Sequence, residues 1–182
     1  QAMAITAYSP PDMKRGIISV LFKGGNKSKT DPNSYRAISL CSTVLKLYEK
    51  VVLQIIDDEK SLSLNPLQGG FQRNISCLMT SFLARECIYF AKENNSRLYT
   101  CYLDAKQAFD HVDFNLLLLK LYKLGMNVNI IKIVENLLIE IYSCVISNGR
   151  TSDWFPILKC ARQGHVLSAS MYLVYINDLI NT

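Results

Sequence analysis

Residues 98–114 read Leu-Tyr-Thr-Cys-Tyr-Leu-Asp-Ala-Lys-Gln-Ala-Phe-Asp-His-Val-Asp-Phe. The first six of these residues are apolar, aromatic or β-branched, which predicts a short buried strand. Asp104 follows where the apolar run ends, and Asp110 and Asp113 come close behind it. A carboxylate at the end of a buried strand is costly unless it is paired or binds a metal ion. By position alone, a solvated loop acid after the strand remains an equally good interpretation.

Composition narrows the class of protein. With 182 residues and 49% hydrophobic content, the chain can bury the core of one domain or of two small lobes. No apolar run approaches the roughly 20 residues that a membrane span needs, and the N-terminus does not resemble a signal peptide. We therefore expect no membrane association and a cytoplasmic or nuclear location. Six scattered cysteines and two histidines argue against a zinc site and predict reduced, mostly buried thiols.

Basic residues concentrate in one part of the chain. The net charge is only +5, yet residues 14–36 carry six basic residues against one acid, Asp31. The basic residues are Lys14, Arg15, Lys23, Lys27, Lys29 and Arg36. Such a cluster suits a polyphosphate or a nucleic-acid backbone. A solvated basic face is the alternative that composition leaves open.

The hydrophobic pattern predicts an irregular mixture of helices and strands. Strands at residues 16–22 and 35–40 form a hairpin whose tip carries Lys27 and Lys29, and a second hairpin spans 143–159. Helices are predicted at residues 44–56, 75–92, 113–124, 128–142 and 168–180. Irregular alternation of this kind favours an α+β fold over a doubly wound sheet.

Inward-facing positions follow from the helical spacing of apolar residues. In the first two long helices these positions are Val44, Leu47, Tyr48, Val51, Val52, Ile55 and Ile56, and then Leu78, Phe82, Cys87 and Tyr89. In the next two they are Phe114, Leu117, Leu118 and Leu121, and then Ile131, Val134, Leu138 and Ile141. Asp113 is predicted to cap the start of its helix, and Gly125 to end it.

Six short motifs in one order carry a resemblance to a known family. They are residues 31–40 (Asp-Pro-Asn-Ser-Tyr-Arg-Ala-Ile-Ser-Leu), 46–50 (Lys-Leu-Tyr-Glu-Lys), 68–71 (Gln-Gly-Gly-Phe), 103–112 (Leu-Asp-Ala-Lys-Gln-Ala-Phe-Asp-His-Val), 162–168 (Arg-Gln-Gly-His-Val-Leu-Ser) and 175–179 (Tyr-Ile-Asn-Asp-Leu). Together they resemble the reverse transcriptases of non-long-terminal-repeat (LINE-type) retrotransposons, over residues 16–182.

The resemblance implies a partial right-hand polymerase fold made of helices and short antiparallel strands. Residues 1–97 would form a fingers-like region with the basic hairpin, and residues 98–182 an incomplete palm. The implied activity is that of an RNA-directed DNA polymerase, with an RNA template, a DNA primer and deoxynucleoside triphosphates as partners.

The resemblance also assigns roles in catalysis. In this family nucleotidyl transfer uses two Mg²⁺ ions, which prefer oxygen ligands. Asp104 would be the catalytic carboxylate and a metal ligand, and the Ala105 backbone carbonyl would add an oxygen. Asp110 would brace the turn, and His165 is interpreted as a surface or packing histidine.

Four residues would contact the incoming nucleotide. Arg36 would bind the triphosphate through parallel hydrogen bonds, and Phe109 would block a ribose 2′-hydroxyl, although core packing is its alternative role. Gln163 and Gly164 would lie over the nascent base pair, where glycine permits close backbone approach. Weaker candidates for phosphate or template contact are Lys23, Lys27, Lys29 and Arg162.

The sequence departs from the family pattern in two respects. The third palm motif, an aromatic-Ala-Asp-Asp hairpin, and the thumb are absent, and Asp178 belongs to the helix that precedes that motif. We therefore expect this chain alone not to polymerise DNA. Ala37 and Ala169 stand where the family has proline, which suggests a drifted copy. A non-catalytic nucleic-acid-binding remnant and an intron-encoded maturase remain as alternatives.

Overall fold

The computed structural model describes residues 3, 6–59, 62, 64–72, 74–102, 104–105, 108–159 and 164–181. Within these residues there are six α-helices and five strands in an α+β arrangement, which confirms the predicted fold class. The helices are α1 (Pro11–Lys14), α2 (Thr43–Asp58), α3 (Cys77–Glu93), α4 (Phe114–Lys123), α5 (Val128–Leu138) and α6 (Ser168–Ile176). The strands are β1 (Gly16–Phe22), β2 (Tyr35–Cys41), β3 (Tyr142–Ser147), β4 (Arg150–Thr151) and β5 (Phe155–Pro156).

The strands form one mixed sheet in the order β2-β1-β3-β4, with β5 also paired to β3. β1 and β2 are antiparallel, from Gly16 opposite Cys41 to Phe22 opposite Tyr35, as the predicted hairpin requires. β1 and β3 run parallel, so the sheet is mixed and not built from the expected antiparallel strands alone. Because β1 lies in the predicted fingers-like region and β3 in the predicted palm, one sheet joins the two regions. The boundary between them at residue 97 stays a prediction.

The core lies among the helices. Its buried side chains come mainly from α2, α4, α5 and α6, with contributions from the segments that precede α4 and α6. The largest fully buried apolar members are Leu45, Val52, Ile56, Val112, Leu117, Leu121, Val134 and Val174.

The stripe predicted for α4 is partly confirmed, since Leu117 and Leu121 are buried while Phe114 and Leu118 are half-buried. In α5 the prediction was mostly wrong: Val134 is buried as predicted, but Ile131 and Leu138 are only half-buried, and the other buried residues of the helix are Ile130, Ile133 and Leu137. The fourth predicted residue, Ile141, is buried but lies beyond the helix.

Local capping explains where several helices begin and end. The side chains of Ser42, Ser76, Asp113 and Asn127 each accept a hydrogen bond from a backbone amide in the first turn of α2, α3, α4 and α5 respectively. Gly125 follows α4 with a φ of 78°, the left-handed conformation expected of the residue that terminates a helix.

The strand predicted for residues 98–103 is wrong over the residues described there, 98–102. This segment has no regular secondary structure, and Tyr99 and Tyr102 are 84% and 88% exposed. A strand exists only where a neighbouring strand accepts and donates its backbone hydrogen bonds, and no strand of the described sheet pairs with this segment. Apolar and β-branched composition alone therefore did not determine the structure.

The inward faces predicted for α2 and α3 also need correction. In α2 the buried positions are Leu45, Glu49, Val52 and Ile56, whereas Val44, Leu47 and Val51 are exposed. In α3 all four predicted inward residues (Leu78, Phe82, Cys87 and Tyr89) are exposed, and Ala91 alone among its residues is buried. Helical spacing identifies a stripe, but the packing partner decides which of two adjacent stripes is covered.

Two smaller differences concern element bounds and thiols. The helix predicted to reach residue 142 ends at Leu138, because Tyr142 begins β3. α6 ends at Ile176 and continues as a 3₁₀ helix over Asn177–Asn181. The five described cysteines carry free thiols, as predicted, yet only Cys144 is buried.

Candidate functional site

The basic hairpin presents its charged side chains to solvent. Lys23, Lys27, Lys29 and Arg36 are all exposed. The loop between β1 and β2 is nevertheless ordered by local hydrogen bonds. Asp31 caps the short 3₁₀ helix Pro32–Ser34 by accepting from the Asn33 amide at 2.9 Å, and the Lys23 ammonium donates to the Asn33 carbonyl at 2.7 Å. The predicted hairpin with a basic tip is therefore present.

An aromatic pair closes the strand ends of the hairpin. The rings of Phe22 and Tyr35 lie 5.4 Å apart at a tilt of 59°. The Lys29 ammonium sits 6.0 Å from the centre of the Phe22 ring, and the Tyr35 hydroxyl donates to the Lys29 carbonyl at 2.9 Å. These contacts hold the backbone at Lys29 and place a cation against an aromatic face.

Asp104 and Ala105 are both exposed and follow the unpaired segment 98–102. The expected setting, a carboxylate at the end of a buried strand, is not found. In this structure the penalty for an unpaired buried carboxylate does not apply, because the side chain faces solvent. The metal role of Asp104 stays a prediction that rests on the family resemblance.

Asp104 and Ala105 offer oxygen ligands of the type that Mg²⁺ prefers, but too few of them to fill its coordination shell. A carboxylate oxygen and a backbone carbonyl oxygen are ligand types that Mg²⁺ prefers, while an octahedral shell requires about six oxygen atoms. Among the described residues, no three His, Cys, Asp or Glu side chains lie close enough together to hold a metal ion. Water and phosphate oxygens commonly complete such a shell.

The two other acids of the opening stretch have different surroundings. Asp110 is exposed in the 3₁₀ helix Ala108–His111. Asp113 caps α4 by accepting from the Leu116 amide at 3.1 Å, and its other oxygen lies 3.5 Å from the Lys159 ammonium. The hydrogen bond from Leu116, assisted by Lys159, holds the pKa of the Asp113 carboxyl below its usual value. Asp113 is thus a structural cap, as predicted.

Phe109 packs within an aromatic cluster. Its ring stacks on Tyr172 of α6 at 4.7 Å between centroids and meets Phe71 edge to face at 6.1 Å. Phe71 belongs to the Gln-Gly-Gly-Phe motif and Phe109 to the motif at residues 103–112, so two separate motifs converge on this cluster, beside Tyr172 of α6. The contacts fix the orientation of the Phe109 ring, which remains only half-buried.

The backbone of Gly164 lies very close to another segment of the chain. Its φ is 111°, and a Cβ atom at this position would lie 2.5 Å from the carbonyl oxygen of Ser39. Ser39 is in β2, three residues after Arg36. Gly164 therefore lies close to the backbone of β2, while its predicted approach to a nucleotide stays a prediction. Arg162 and Gln163, predicted to act beside it, lie outside the described residues.

The sequence analysis did not predict that Glu49 and His165 form a buried pair next to Gly164. The Glu49 carboxylate of α2 contacts Nδ1 of His165 at 2.5 Å and accepts a hydrogen bond from the Val166 amide at 2.8 Å. The side chains of Glu49 and His165 are each only 5% exposed. The signal was present in the sequence, because Glu49 occupies a position in the stripe formed by Leu45, Val52 and Ile56.

The Tyr-Ile-Asn-Asp-Leu motif supplies two further contacts. The Asn177 side chain accepts a hydrogen bond from the Asn65 amide at 2.7 Å. Asp178 accepts one from the Lys120 ammonium at 2.6 Å, and this bond holds the pKa of the Asp178 carboxyl below its usual value. Lys120 also donates to the Tyr175 carbonyl. The motif thus connects the 3₁₀ helix after α6 with α4 and with the segment before α3.

The ordered motifs, the basic hairpin and the α+β fold together indicate a template-directed polymerase. The chain belongs to the reverse transcriptase (RNA-dependent DNA polymerase) family, whose profile matches residues 26–182. This finding confirms the resemblance drawn from the motifs.

The relatives of this chain in the family come from mobile elements. It is 27% identical over 174 residues to the probable RNA-directed DNA polymerase from transposon X-element of Drosophila melanogaster, and 29% identical over 174 residues to the RNA-directed DNA polymerase from mobile element jockey of the same species. Each match covers 94% of this chain and 19% of the relative. A third Drosophila relative, the probable RNA-directed DNA polymerase from transposon BS, is 30% identical over 120 residues, which are 64% of this chain and 13% of the relative.

These relatives confirm the assignment to LINE-type retrotransposon reverse transcriptases and favour it over the maturase alternative. The chain spans about a fifth of the length of the first two relatives, 19% in each case. In the part of the chain that the structure describes, each helix is too short or too polar to cross a membrane.

Proposed function

We propose that this chain forms the fingers and the first part of the palm of an RNA-directed DNA polymerase that extends a DNA primer on an RNA template. The observation that carries the proposal is the convergence of two predicted nucleotide-binding residues on β2. Arg36 lies in β2, and Gly164 packs against Ser39 of the same strand. Three residues of strand span about 10 Å, a distance comparable to the length of a bound triphosphate.

Each predicted site residue has a distinct task in this proposal. The exposed Arg36 guanidinium binds phosphate oxygens. The half-buried Phe109 ring, held by Tyr172 and Phe71, forms a wall that excludes a ribose 2′-hydroxyl. Gly164 would contact the new base pair, together with Gln163 if the family resemblance holds for that residue. Asp104 and the Ala105 carbonyl would hold magnesium, which would supply Lewis-acid stabilisation of the phosphoryl group.

Nucleotide binding by the chain provides the first test. We expect a deoxynucleoside triphosphate to bind only when Mg²⁺ is present, and we expect Asp104→Ala and Arg36→Ala each to weaken binding by about tenfold or more, because each removes a charged contact. Phe109→Ala should raise the affinity for the ribonucleotide relative to the deoxynucleotide. Titration calorimetry or a fluorescent nucleotide measures all three effects.

Matched variants control for nonspecific changes in charge. Asp153→Ala removes an exposed acid between β4 and β5, and Arg97→Ala removes an exposed arginine after α3. Neither should change the affinity for the nucleotide. If the two control variants weaken binding as much as Asp104→Ala and Arg36→Ala do, the proposed site is wrong.

Primer extension on an RNA template tests the expectation that this chain alone does not polymerise. We expect no incorporation of nucleotides. Incorporation that disappears in Asp104→Ala would show that the chain already contains a working site and would overturn the expectation.

The exposed basic tip favours a second candidate, a module that binds nucleic acid without catalysis. Lys23, Lys27 and Lys29 lie in one ordered loop beside an aromatic pair. Binding through phosphate contacts alone would weaken steeply with salt, with a log–log slope of about −0.7 per contact for a single strand. Affinity for RNA that depends on these lysines but not on Asp104 or Mg²⁺ would support this candidate.

A further inference from the structure

Glu49 is a buried charged residue that joins two elements distant in sequence. It lies in α2 with 4% of its surface exposed, and its partners His165 and Val166 are 116 and 117 residues away. Both carboxylate oxygens are used, Oε1 at His165 Nδ1 and Oε2 at the Val166 amide. A buried carboxylate persists when its lone pairs are satisfied in this way.

The two hydrogen bonds act on consecutive residues of one short segment. Residues 164–166 directly precede Leu167 and α6. In the sequence they follow Gln163, a predicted nucleotide contact, and Arg162, a weaker candidate for phosphate or template contact. On one side of the segment, Glu49 binds the His165 ring and the Val166 amide. On the other side, Gly164 abuts the Ser39 carbonyl, with no room for a Cβ atom.

The ring of His165 has a defined orientation as a consequence. Because a carboxylate only accepts hydrogen bonds, we assign the proton of this contact to Nδ1. The other ring nitrogen, Nε2, is buried and has no hydrogen-bond partner among the described residues. Among the described residues, Glu49 is the one polar partner of the His165 ring. This contact can therefore anchor the segment that contains His165.

We propose that Glu49 is a positioning residue for the nucleotide site: its carboxylate anchors residues 164–166 and thereby holds Gly164 against Ser39 of β2, three residues along the strand from Arg36. This role rests on the proposed function, because Gly164 and Arg36 are the predicted nucleotide contacts. Glu49 acts through the backbone of the segment and touches no substrate. Loss of its carboxylate frees the segment from α2 and separates the two halves of the nucleotide site.

Amide hydrogen exchange of the full chain, combined with nucleotide titration, tests the role. In Glu49→Ala, exchange at residues 164–166 should accelerate by about tenfold or more, the effect expected when a hydrogen bond to a charged group is lost. Affinity for a fluorescent deoxynucleoside triphosphate with Mg²⁺ should fall by about tenfold, because the contacts of Gly164 and Arg36 no longer act together.

Glu49→Gln serves as the conservative variant, in case Glu49→Ala does not fold. Its amide oxygen can accept from the Val166 N–H, and its amide NH₂ can donate to His165 Nδ1 in the other tautomer. Exchange and nucleotide affinity should therefore change in the same direction as in Glu49→Ala but by less, about threefold, because hydrogen bonds to a neutral amide are about half as strong as those to a carboxylate. Lys50→Ala, an exposed substitution at the next position of α2, is the matched control and should leave both measurements unchanged.

The outcomes separate this role from the proposed function. Unchanged exchange at residues 164–166 in Glu49→Ala and Glu49→Gln would show that Glu49 does not anchor this segment. Faster exchange with unchanged nucleotide affinity would overturn the positioning role and leave Glu49 purely structural. If the wild-type chain binds no nucleotide, the proposed function fails and the positioning role fails with it, whereas faster exchange would still establish the anchor itself.

Discussion

Asp178 illustrates how a motif residue can act through structure. In the family pattern it belongs to the helix before the third palm motif, and here its carboxylate pairs with Lys120 of α4. The same ammonium donates to the Tyr175 carbonyl and lies 5.0 Å from the centre of the Tyr175 ring. Lys120 thus neutralises Asp178 and covers the end of α6. At the scale of the residue, Asp178 contributes to the fold through an ion pair with one cation.

The pairing makes a pH-dependent prediction for Asp178→Asn. Because Lys120 holds the folded pKa of Asp178 below its ordinary value of 3.8, the stability that this carboxylate contributes is present above that value. It is lost as the pH falls through the folded pKa. The melting temperature of wild type should therefore exceed that of Asp178→Asn near pH 6, and the gap should close toward pH 2.

Thermal unfolding followed by circular dichroism between pH 2 and pH 7 measures that gap. Asp153→Asn, at an exposed acid in the connection between β4 and β5, is the control and should differ little from wild type at every pH. A gap for Asp178→Asn that stays constant down to pH 2 would contradict the ion-pair explanation.

At the scale of elements, β2 is the strand on which distant segments meet. It pairs with β1 along its whole length, carries the exposed Arg36, and receives Gly164 at the Ser39 carbonyl. β2 is an edge strand of the sheet, so one side of it is free to contact a loop. The glycine is required there for two reasons, its positive φ and the absence of space for a side chain.

Gly164→Ala is therefore expected to destabilise the chain by more than about 1 kcal/mol, since the new Cβ meets a backbone atom at a positive φ. Gly70→Ala is the matched control, because a Cβ at Gly70 meets nothing within 4 Å. It should change stability by no more than about 0.5 kcal/mol. Chemical denaturation of both variants provides the comparison, and equal midpoints would contradict the close approach to Ser39.

At the scale of the whole molecule, the helices divide into a packed group and an exposed one. α5 contributes four buried side chains to the core (Ile130, Ile133, Val134 and Leu137). α3 contributes only Ala91, and its large apolar side chains, among them Leu78 at 79% exposure, face solvent. Stability within a protein follows burial, so the two helices should open at different free energies.

Hydrogen exchange read by mass spectrometry tests this division. Amides of residues 77–93 should exchange much faster than those of residues 128–138, because an opening of α3 exposes little buried apolar surface. The intrinsic exchange rate of each amide can be calculated from the sequence. Dividing by it removes rate differences between the two helices that do not come from protection. Equal protection of the two helices would show that α3 is packed in solution.

Much of the local structure was predictable from the sequence. The hairpin of β1 and β2, the cap at Asp113, the glycine after α4 and the buried leucines of α4 all follow from turn chemistry, capping and helical spacing. The family was identifiable for the same reason, because its motifs are short runs of specific residues in a fixed order. These features depend on neighbours in the chain, and the sequence contains that information directly.

Other features depended on partners that are distant in sequence. Residues 98–102 have strand composition but no strand beside them, and α2 buries the stripe that includes Glu49 instead of the adjacent apolar one. The bonds from Glu49 to His165 and Val166, and the contact of Gly164 with Ser39, each join segments more than 100 residues apart. The sequence by itself determined the family, the helices and the basic hairpin. The tertiary structure alone decided which faces are buried and which residues meet, because strand pairing and burial are properties of two surfaces in contact.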